Sequence, residues 1–293
     1  QSYETMYNNR NKELNDRYVQ EYVRSFADGD GIPGIEYEYN MLKQMSPMIN
    51  AQAINATLQQ MNILNDKNIV VTVTGPEKEG ITYPTESDLL NILTTVKAED
   101  ITAYEETVSN EPLITQLPKA GTVVKTETDA KLGATIWTLS NGVKVVLKKT
   151  EYKDDQILMS SIAYGGTSNV PDNDVYNANM ASMVPYVGGI GNFSATDLKK
   201  ALAGKAANVN VGITTYTQSI SGNSTIKDIE TLLQLTYLYF TAPRKDEGAY
   251  TNIMDMIKNQ LKNLSSDPDN IMGDSINDAM YQNNPRMKEM KLA

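Results

Sequence analysis

A hairpin signal near the middle of the chain places the strongest limit on its fold. The stretch "TLSNGVKVVLKKT", residues 138–150, sets Asn141-Gly142 between two runs of strand-forming residues. Asn-Gly favours a two-residue type I′ turn, because both central positions of that turn need positive φ. Such a turn would place Trp137 opposite Val146, so we predict an antiparallel hairpin in this register.

The segments that follow the hairpin predict an α+β fold. From residue 135 the pattern gives three strands, two helices, two strands and two helices. Hairpin connections favour a largely antiparallel sheet with helices packed on one face. The predicted elements are a third strand from Gln156, a helix over 175–187, a helix capped by Ser194, two strands within 206–224 with Gly212 as a bulge or turn point, and helices over 225–240 and 250–264.

Both of the last two helices carry apolar stripes. The helix over 225–240 has apolar residues at helical spacing, namely Ile226, Ile229, Leu233, Tyr237 and Phe240. The following helix has an i, i+3, i+4, i+7 stripe, formed by Tyr250, Ile253, Met254, Ile257, Leu261 and Leu264. Such a stripe is typical of an amphipathic helix.

The first hundred residues predict a helical segment with one strand. The helices fall at 12–27, 35–45, 51–61 with Asn50 as N-cap, and 87–96. The continuous apolar run Ile69–Val73 predicts a buried strand. Residues 99–134 contain two prolines, scattered charge and no sustained period, so we predict an extended linker with an edge strand near Thr122–Lys125.

The composition excludes several kinds of chemistry. The 293 residues include no His and no Cys, so the chain cannot build a conventional zinc or copper site by itself. Ser-His, Cys-His and disulfide chemistry are excluded for the same reason. A net charge of −10 argues against a nucleic-acid partner. No apolar run reaches the roughly 18 residues that a membrane span needs.

Several clusters that suggest ligand sites have simpler interpretations. "DPDNIMGD" at 267–274 has its glycine one position too late for a calcium loop, and it favours a turn between helices. "PDND" at 171–174 predicts a turn in which Asp172 or Asp174 caps the next helix. "GGIG" at 188–191 is typical of a helix end that runs into a tight turn. The carboxylates Glu36, Glu38, Glu105 and Glu106 are expected on a solvated face.

Tyrosine is abundant, with 17 residues against three Phe. Tyrosine combines a large apolar ring with a hydroxyl, and it suits both a peptide-binding surface and the rim of a core. Four tyrosines are candidates for either role, and the core is the favoured one: Tyr216, Tyr237, Tyr239 and Tyr250.

These motifs together resemble a known family. The "LxNGxxVxL" pattern of the hairpin uses Leu139, Asn141, Gly142, Val145 and Leu147. From "WTLSNGVKVVL" through "FSATDLKKALAGK" to "TLLQLTYLYFTAPRKDEGAY", the sequence resembles a non-catalytic domain of the pitrilysin/insulinase zinc metallopeptidases. "NIVVTVTGPE" resembles the last strand of the domain before it. The order and spacing of these segments are more specific than any one of them.

The resemblance implies a domain layout. Residues 1–105 would be the C-terminal part of one pitrilysin-type domain, 106–134 the linker, and 135–293 the first part of a non-catalytic domain. The chain would then be an internal fragment of a long bacterial member of the family. Long members are often exported, which suggests a periplasmic or cell-envelope location.

The resemblance also identifies a catalytic motif that this chain lacks. In a catalytic domain of the family, an H-x-x-E-H helix binds zinc and supplies the general base. The corresponding residues here are 175–189, and from Val175 to Thr196 there is no His, Glu, Asp or Cys. No metal ligand, catalytic residue or substrate-binding residue is therefore assigned, and zinc is expected only in the catalytic domain of the parent protein.

The leading hypothesis follows from this. The chain would be a non-catalytic segment of a zinc metalloendopeptidase and would form part of the wall of a peptide chamber. Its partners would be a peptide substrate, basic if the acidic charge faces inward, and the catalytic domain of the same parent chain. The alternatives are a scaffold or assembly module in a parent without protease activity, and an unrelated surface or adhesion protein.

Overall fold

A computed structural model describes residues 2–61, 69–75, 80–102, 111–264 and 266–292. The chain divides into two compact units, Gln1–Glu36 with Val108–Ala293, and Tyr37–Thr107. Glu105 and Glu106 lie outside the described residues.

The described residues form helices and antiparallel strands, as the α+β pattern predicts. The helices are α1 (Ser2–Asn8), α2 (Asn15–Asp28), α3 (Ile35–Met45), α4 (Ala51–Met61), α5 (Glu86–Ala98), α6 (Val175–Met180), α7 (Met183–Gly188), α8 (Ala195–Ala201), α9 (Ile229–Thr241), α10 (Glu247–Leu264) and α11 (Pro268–Met280). The strands are β1 (Val123–Asp129), β2 (Ala134–Leu139), β3 (Lys144–Leu147), β4 (Ile157–Tyr164), β5 (Ala207–Ile213) and β6 (Thr217–Ser224).

The Tyr37–Thr107 unit is helical in its described part, and one prediction for it is wrong. Residues 69–75 form no strand, and the side chains of Ile69, Val70 and Val73 are exposed rather than buried. A strand is stabilised by ladder bonds to a neighbour, and no strand pairs with this run in the part of the chain that is described. Asn50 caps α4 as predicted, because its Oδ1 accepts the Ala53 N–H at 2.9 Å.

Sheet 1, in the order β1-β2-β3, contains the predicted hairpin with a corrected register. Trp137 pairs with Val145 instead of Val146. The Leu139 N–H donates to the Val143 carbonyl at 2.8 Å across a three-residue loop in which Gly142 alone has positive φ. A type I′ turn would also need positive φ at Asn141, so the turn adopts the longer loop with a glycine bulge. The predicted edge strand is present and extends through Asp129 as β1.

Sheet 2, in the order β4-β6-β5, is a second antiparallel sheet rather than a continuation of the first. Strand β4 pairs with β6 and not with β3, its predecessor in sequence. The prediction for Gly212 is wrong, because this residue lies in regular register opposite Ser219. The turn between β5 and β6 is made by residues 214–216.

The core lies between sheet 2 and α9. Its fully packed members are Ile190, Val209, Ile220, Leu232, Leu235 and Leu238. The apolar stripe noted in the sequence lies on the exposed side of α9, where Leu233 and Phe240 face outward. The helix begins at Ile229 rather than near 225. Because α9 is apolar on more than one side, spacing alone did not show which side faces the core.

The helix predicted over 175–187 is divided into α6 and α7, with a turn at Ala181 and Ser182. Pro185 has no N–H to donate to the carbonyl of Ala181, and its ring clashes with that carbonyl in a continuous helix. The break therefore follows from the proline. The last helix, α11, is an element that the sequence did not predict.

Candidate functional site

The residues that the sequence resemblance matches to a metal-binding helix border a small cleft. The cleft holds about 200 Å³ and lies between α7, β5 and α9. Met183 and Tyr186 line it from α7, with Ser182 just before that helix. The opposite side is formed by Val209, Asn210 and Val211 of β5 and by Tyr239 of α9.

A tight turn fixes the end of α7 beside this cleft. The Gly189 N–H donates to the Pro185 carbonyl at 3.1 Å, and Gly189 has φ of +88°. The next residue, Ile190, is fully buried. The predicted role of "GGIG" as a helix end and tight turn is therefore confirmed.

The connection between α9 and α10 holds the same turn from the other side. The Arg244 N–H donates to the Gly189 carbonyl at 3.0 Å, and the Gly191 N–H donates to Ala242 at 2.8 Å. The Arg244 guanidinium also donates to the Gly188 carbonyl at 3.0 Å. These bonds join α7 to the element that follows α9, so the two helical walls of the cleft are held together.

Strand β5 supplies the third wall and is an edge strand. It pairs with β6 on one side, and no other strand pairs with it in the described ranges. An edge strand presents unpaired N–H and carbonyl groups, to which an extended peptide can hydrogen-bond. The cleft therefore combines a backbone edge with apolar and aromatic side chains.

The cleft has no charged side chain on its walls. Burial raises the pKa of Tyr239, and the neighbouring Tyr186 raises it further, so this hydroxyl stays neutral at physiological pH. Tyrosine, asparagine and serine can donate and accept hydrogen bonds, so these side chains could bind the polar groups of a ligand.

The described part of the chain holds no group of three or more carboxylate, imidazole or thiol side chains that could bind a metal ion. Among the same residues, no helix has the length and apolar character required to span a bilayer.

Asp228 places the start of α9 against sheet 2. Only 2% of this residue is exposed. Its Oδ2 accepts the Ala206 N–H at 2.8 Å and the Thr225 hydroxyl at 3.1 Å. Its Oδ1 lies 3.7 Å from the Lys205 ammonium. Burial favours a higher pKa for this carboxyl, but the two hydrogen bonds and the nearby lysines outweigh burial, and the pKa is lowered.

Asp228→Asn is expected to lower the free energy of unfolding by about 1–2 kcal/mol at neutral pH, because bonds to a carboxylate are stronger than bonds to an amide. The lowered pKa means that the contribution of the carboxylate is present above its unfolded pKa of about 3.9 and is lost as the pH falls through the folded pKa. Urea unfolding at several pH values should show a constant gap between wild type and variant down to about pH 5, and a shrinking gap below about pH 4.

The control for this prediction is Asp255→Asn on the exposed side of α10, where the pair with Lys258 is long at 3.7 Å. This change should alter stability by less than about 0.5 kcal/mol at any pH. A gap for Asp228→Asn that remains unchanged down to about pH 2 would show that the charge of Asp228 does not stabilise the fold.

The other candidate residues from the acidic clusters lie at separate places and have local structural roles. Asp267 caps α11 by accepting the Asp269 N–H at 2.9 Å, and the predicted turn over 267–274 is wrong, because residues 268–274 lie within this helix. Neither aspartate of the "PDND" turn caps α6 through its side chain. Asp172 instead accepts a bond from Arg286 Nε at 2.6 Å. A partner 114 positions away leaves no local signal in the sequence.

The tyrosine prediction holds for one residue of four. Tyr239 packs against the core, with its ring in the cleft. Tyr216 and Tyr250 are exposed, and Tyr237 is only partly covered. Tyr186 also lines the cleft, although no sequence pattern singled it out. Its position directly after Pro185, in the helix without metal ligands, was the one local feature that could have indicated this role.

Comparison with known proteins finds a related sequence and solved structures with a similar fold. No family model matches the chain. The protein "Zinc protease PQQL-like" of Arabidopsis thaliana is 24% identical over 294 residues, which are 99% of this chain and 28% of that protein. The periplasmic protease PqqL of Escherichia coli has the same fold over 95% of this chain and 30% of its own, with a TM-score of 0.55 and 16% identity.

A mutant of the ferredoxin protease FusC, solved in complex with Arabidopsis ferredoxin, gives a TM-score of 0.56 with 15% identity. It covers 95% of this chain and 31% of its own. The chain thus spans less than a third of the length of each of these proteins. Its fold is that of these two solved proteases, and the predicted resemblance to pitrilysin/insulinase zinc proteases is confirmed.

Proposed function

We propose that this chain is a non-catalytic segment of a zinc metalloendopeptidase and supplies a peptide-binding surface. The observation that supports the proposal is the neutral lining of the cleft between α7, β5 and α9. The resemblance matches residues 175–189, which include α7, to the metal-binding helix of a catalytic domain. An edge strand beside an apolar, aromatic cleft can hold an extended polypeptide without cleaving it.

The lack of charged residues in sheet 2 indicates which kind of peptide the cleft would prefer. None of the residues of β4, β5 or β6 is charged. On the side of sheet 2 away from α9, strand β4 exposes Leu158, Ile162 and Tyr164. The net charge of −10 therefore lies elsewhere on the chain, and we propose that the cleft prefers uncharged, partly apolar peptide segments over basic ones.

The domain layout is part of the proposal. Residues 1–105 would end one pitrilysin-type domain, and a non-catalytic domain would follow the linker. Because β1 pairs with β2 throughout Lys125–Asp129, we place the start of the second domain near residue 123 rather than 135. Zinc and the general base would belong to the catalytic domain of the full-length protein, which would be the partner of this chain.

The test uses the pure 293-residue chain with a fluorescent, unstructured peptide of about ten residues that is rich in Leu, Ser and Tyr. We expect no peptide hydrolysis with or without added zinc, and binding with a Kd of about 10⁻⁴–10⁻³ M, since only one wall of the chamber is present. Tyr186→Ala should weaken binding about tenfold, because an aromatic anchor in a cleft typically contributes more than 1 kcal/mol.

The matched control is Tyr216→Ala. Tyr216 is 72% exposed and Tyr186 is 79% exposed, but Tyr216 lies in the β5–β6 turn and outside the cleft. Its removal should leave the Kd unchanged. Zinc-dependent hydrolysis by the pure chain would contradict the non-catalytic assignment, and equal effects of the two substitutions would contradict the cleft as the binding site.

A scaffold function is the second candidate, and the exposed side of α9 favours it. Ile229, Leu233 and Phe240 present an apolar surface that another domain or subunit could cover. The full-length sequence decides between the two functions. An H-x-x-E-H motif elsewhere in the protein supports the protease, and its absence supports the scaffold.

A further inference from the structure

The N-terminal segment is bonded to the loop between β3 and β4. The side chain of Asn9 is 6% exposed, and its Oδ1 accepts the backbone N–H groups of Asp154 at 3.0 Å and Asp155 at 3.1 Å. These partners are about 145 positions apart in the sequence. A buried amide that accepts two backbone bonds fixes the two segments in one register.

Ion pairs between the same two segments lie beside this hydrogen bond. Lys12 Nζ lies 2.6 Å from Asp154 Oδ1, and Lys153 contacts Glu13, which also bonds Arg17 at 3.0 Å. The hydrogen bond with Asp154 raises the pKa of Lys12, and the one with Lys153 lowers the pKa of Glu13. Each group is therefore held in its charged form.

Asp155 also bonds to the backbone between β6 and α9. Its Oδ2 accepts a bond from Asn8 Nδ2 at 2.9 Å. Its Oδ1 accepts the Ile226 N–H at 2.9 Å, just before α9 begins. One carboxylate thus joins the N-terminal segment, the loop before β4 and the approach to α9.

We propose that residues 8–17 and 153–155 form a clasp that opens independently of sheet 2 and is controlled by ionic strength. The contacts named above are polar, and the charged side chains are partly exposed to solvent. Exposed ion pairs contribute little individually and are screened by salt, whereas burial of apolar surface is not weakened in this way. Ionic strength therefore sets how firmly residues 8–17 are attached to the loop before β4, while sheet 2 stays folded. This inference does not depend on peptide binding.

The experiment is amide hydrogen exchange, followed by NMR, on the full 293-residue chain. Asn9→Ala should speed exchange at the Asp154 and Asp155 amides by about five- to tenfold, which is the loss of one ordinary hydrogen bond each. Exchange at core amides of sheet 2, such as that of Ile220, should stay within about twofold of wild type. The control is Asn210→Ala, because the Asn210 amide donates only to Asn208, two positions away.

Salt supplies the second measurement. Raising NaCl from about 0.05 M to 0.5 M shortens the screening length to a few ångströms and should speed exchange at Asp154 and Asp155 in the wild type. The Lys12→Gln/Lys153→Gln double variant should lose most of this salt effect. Lys245→Gln is the matched control, because the contact of Lys245 is with Glu247 and is highly exposed.

Two results would overturn the proposal. Unchanged exchange at Asp154 and Asp155 in Asn9→Ala would show that no clasp protects them. An equal acceleration at Ile220 would show that Asn9 stabilises the whole unit and that the clasp does not open independently.

Discussion

Leu232→Ala is expected to lower the free energy of unfolding by about 2–5 kcal/mol, the range for emptying a packed core position. Leu232 is 1% exposed and packs against sheet 2 from α9. Few neighbouring atoms can move into the space that the missing methyl groups leave, because the core is closely packed. Urea unfolding followed by circular dichroism should show a lower midpoint with an unchanged m value.

Leu233→Ala is the control at the next position of the same helix. Leu233 is 55% exposed, and its truncation should cost less than about 1 kcal/mol because little surface is taken out of contact with the protein. The pair isolates burial from helix propensity, since both changes replace Leu with Ala within α9. Similar losses for the two variants would mean that α9 does not face sheet 2 in the orientation described here.

Gly189→Ala is expected to lower the free energy of unfolding by about 2–4 kcal/mol, for two reasons that add. Gly189 has φ of +88°, a conformation that alanine rarely adopts. A Cβ atom there would also lie 2.1 Å from the Phe193 carbonyl oxygen, which belongs to the backbone of the same turn and cannot swing away. The turn that buries Ile190 would have to open.

Gly204→Ala separates the two reasons. Gly204 has φ of +78°, but its Cβ would meet no atom within 4 Å. This variant should lose only about 1 kcal/mol, the cost of the backbone conformation alone. Thermal unfolding of both variants measures the difference. Equal losses would show that the close contact with Phe193 relaxes without cost.

Local features of the fold were predictable from short stretches of sequence. Asn50 and Ser194 cap their helices as expected, with bonds to N–H groups three residues ahead. The order of strands and helices after residue 135 also follows the pattern, except that one predicted helix is divided into α6 and α7 and that α11 was not predicted. Caps and turns involve atoms only a few residues apart, so the sequence states both partners at once.

Two predictions were wrong where two local sequence features favoured different structures. The hairpin signal at Asn141-Gly142 was right, but a three-residue loop displaced the two-residue turn and moved the register by one position. That shift puts Val145 rather than Val146 on the side of Trp137. In the helix predicted over 175–187, the apolar pattern outweighed Pro185, and the break before α7 was missed.

The sequence by itself determined which chemical groups this chain lacks. It has no His or Cys, and the residues from Val175 to Thr196, which the resemblance matches to a metal-binding helix, include no carboxylate. Only the tertiary structure decided which side of α9 is buried, that β4 pairs with β6, and that Tyr186 and Tyr239 meet in one cleft. The physical reason is that burial and strand pairing depend on partners tens of residues away, and apolar spacing along one element does not specify those partners.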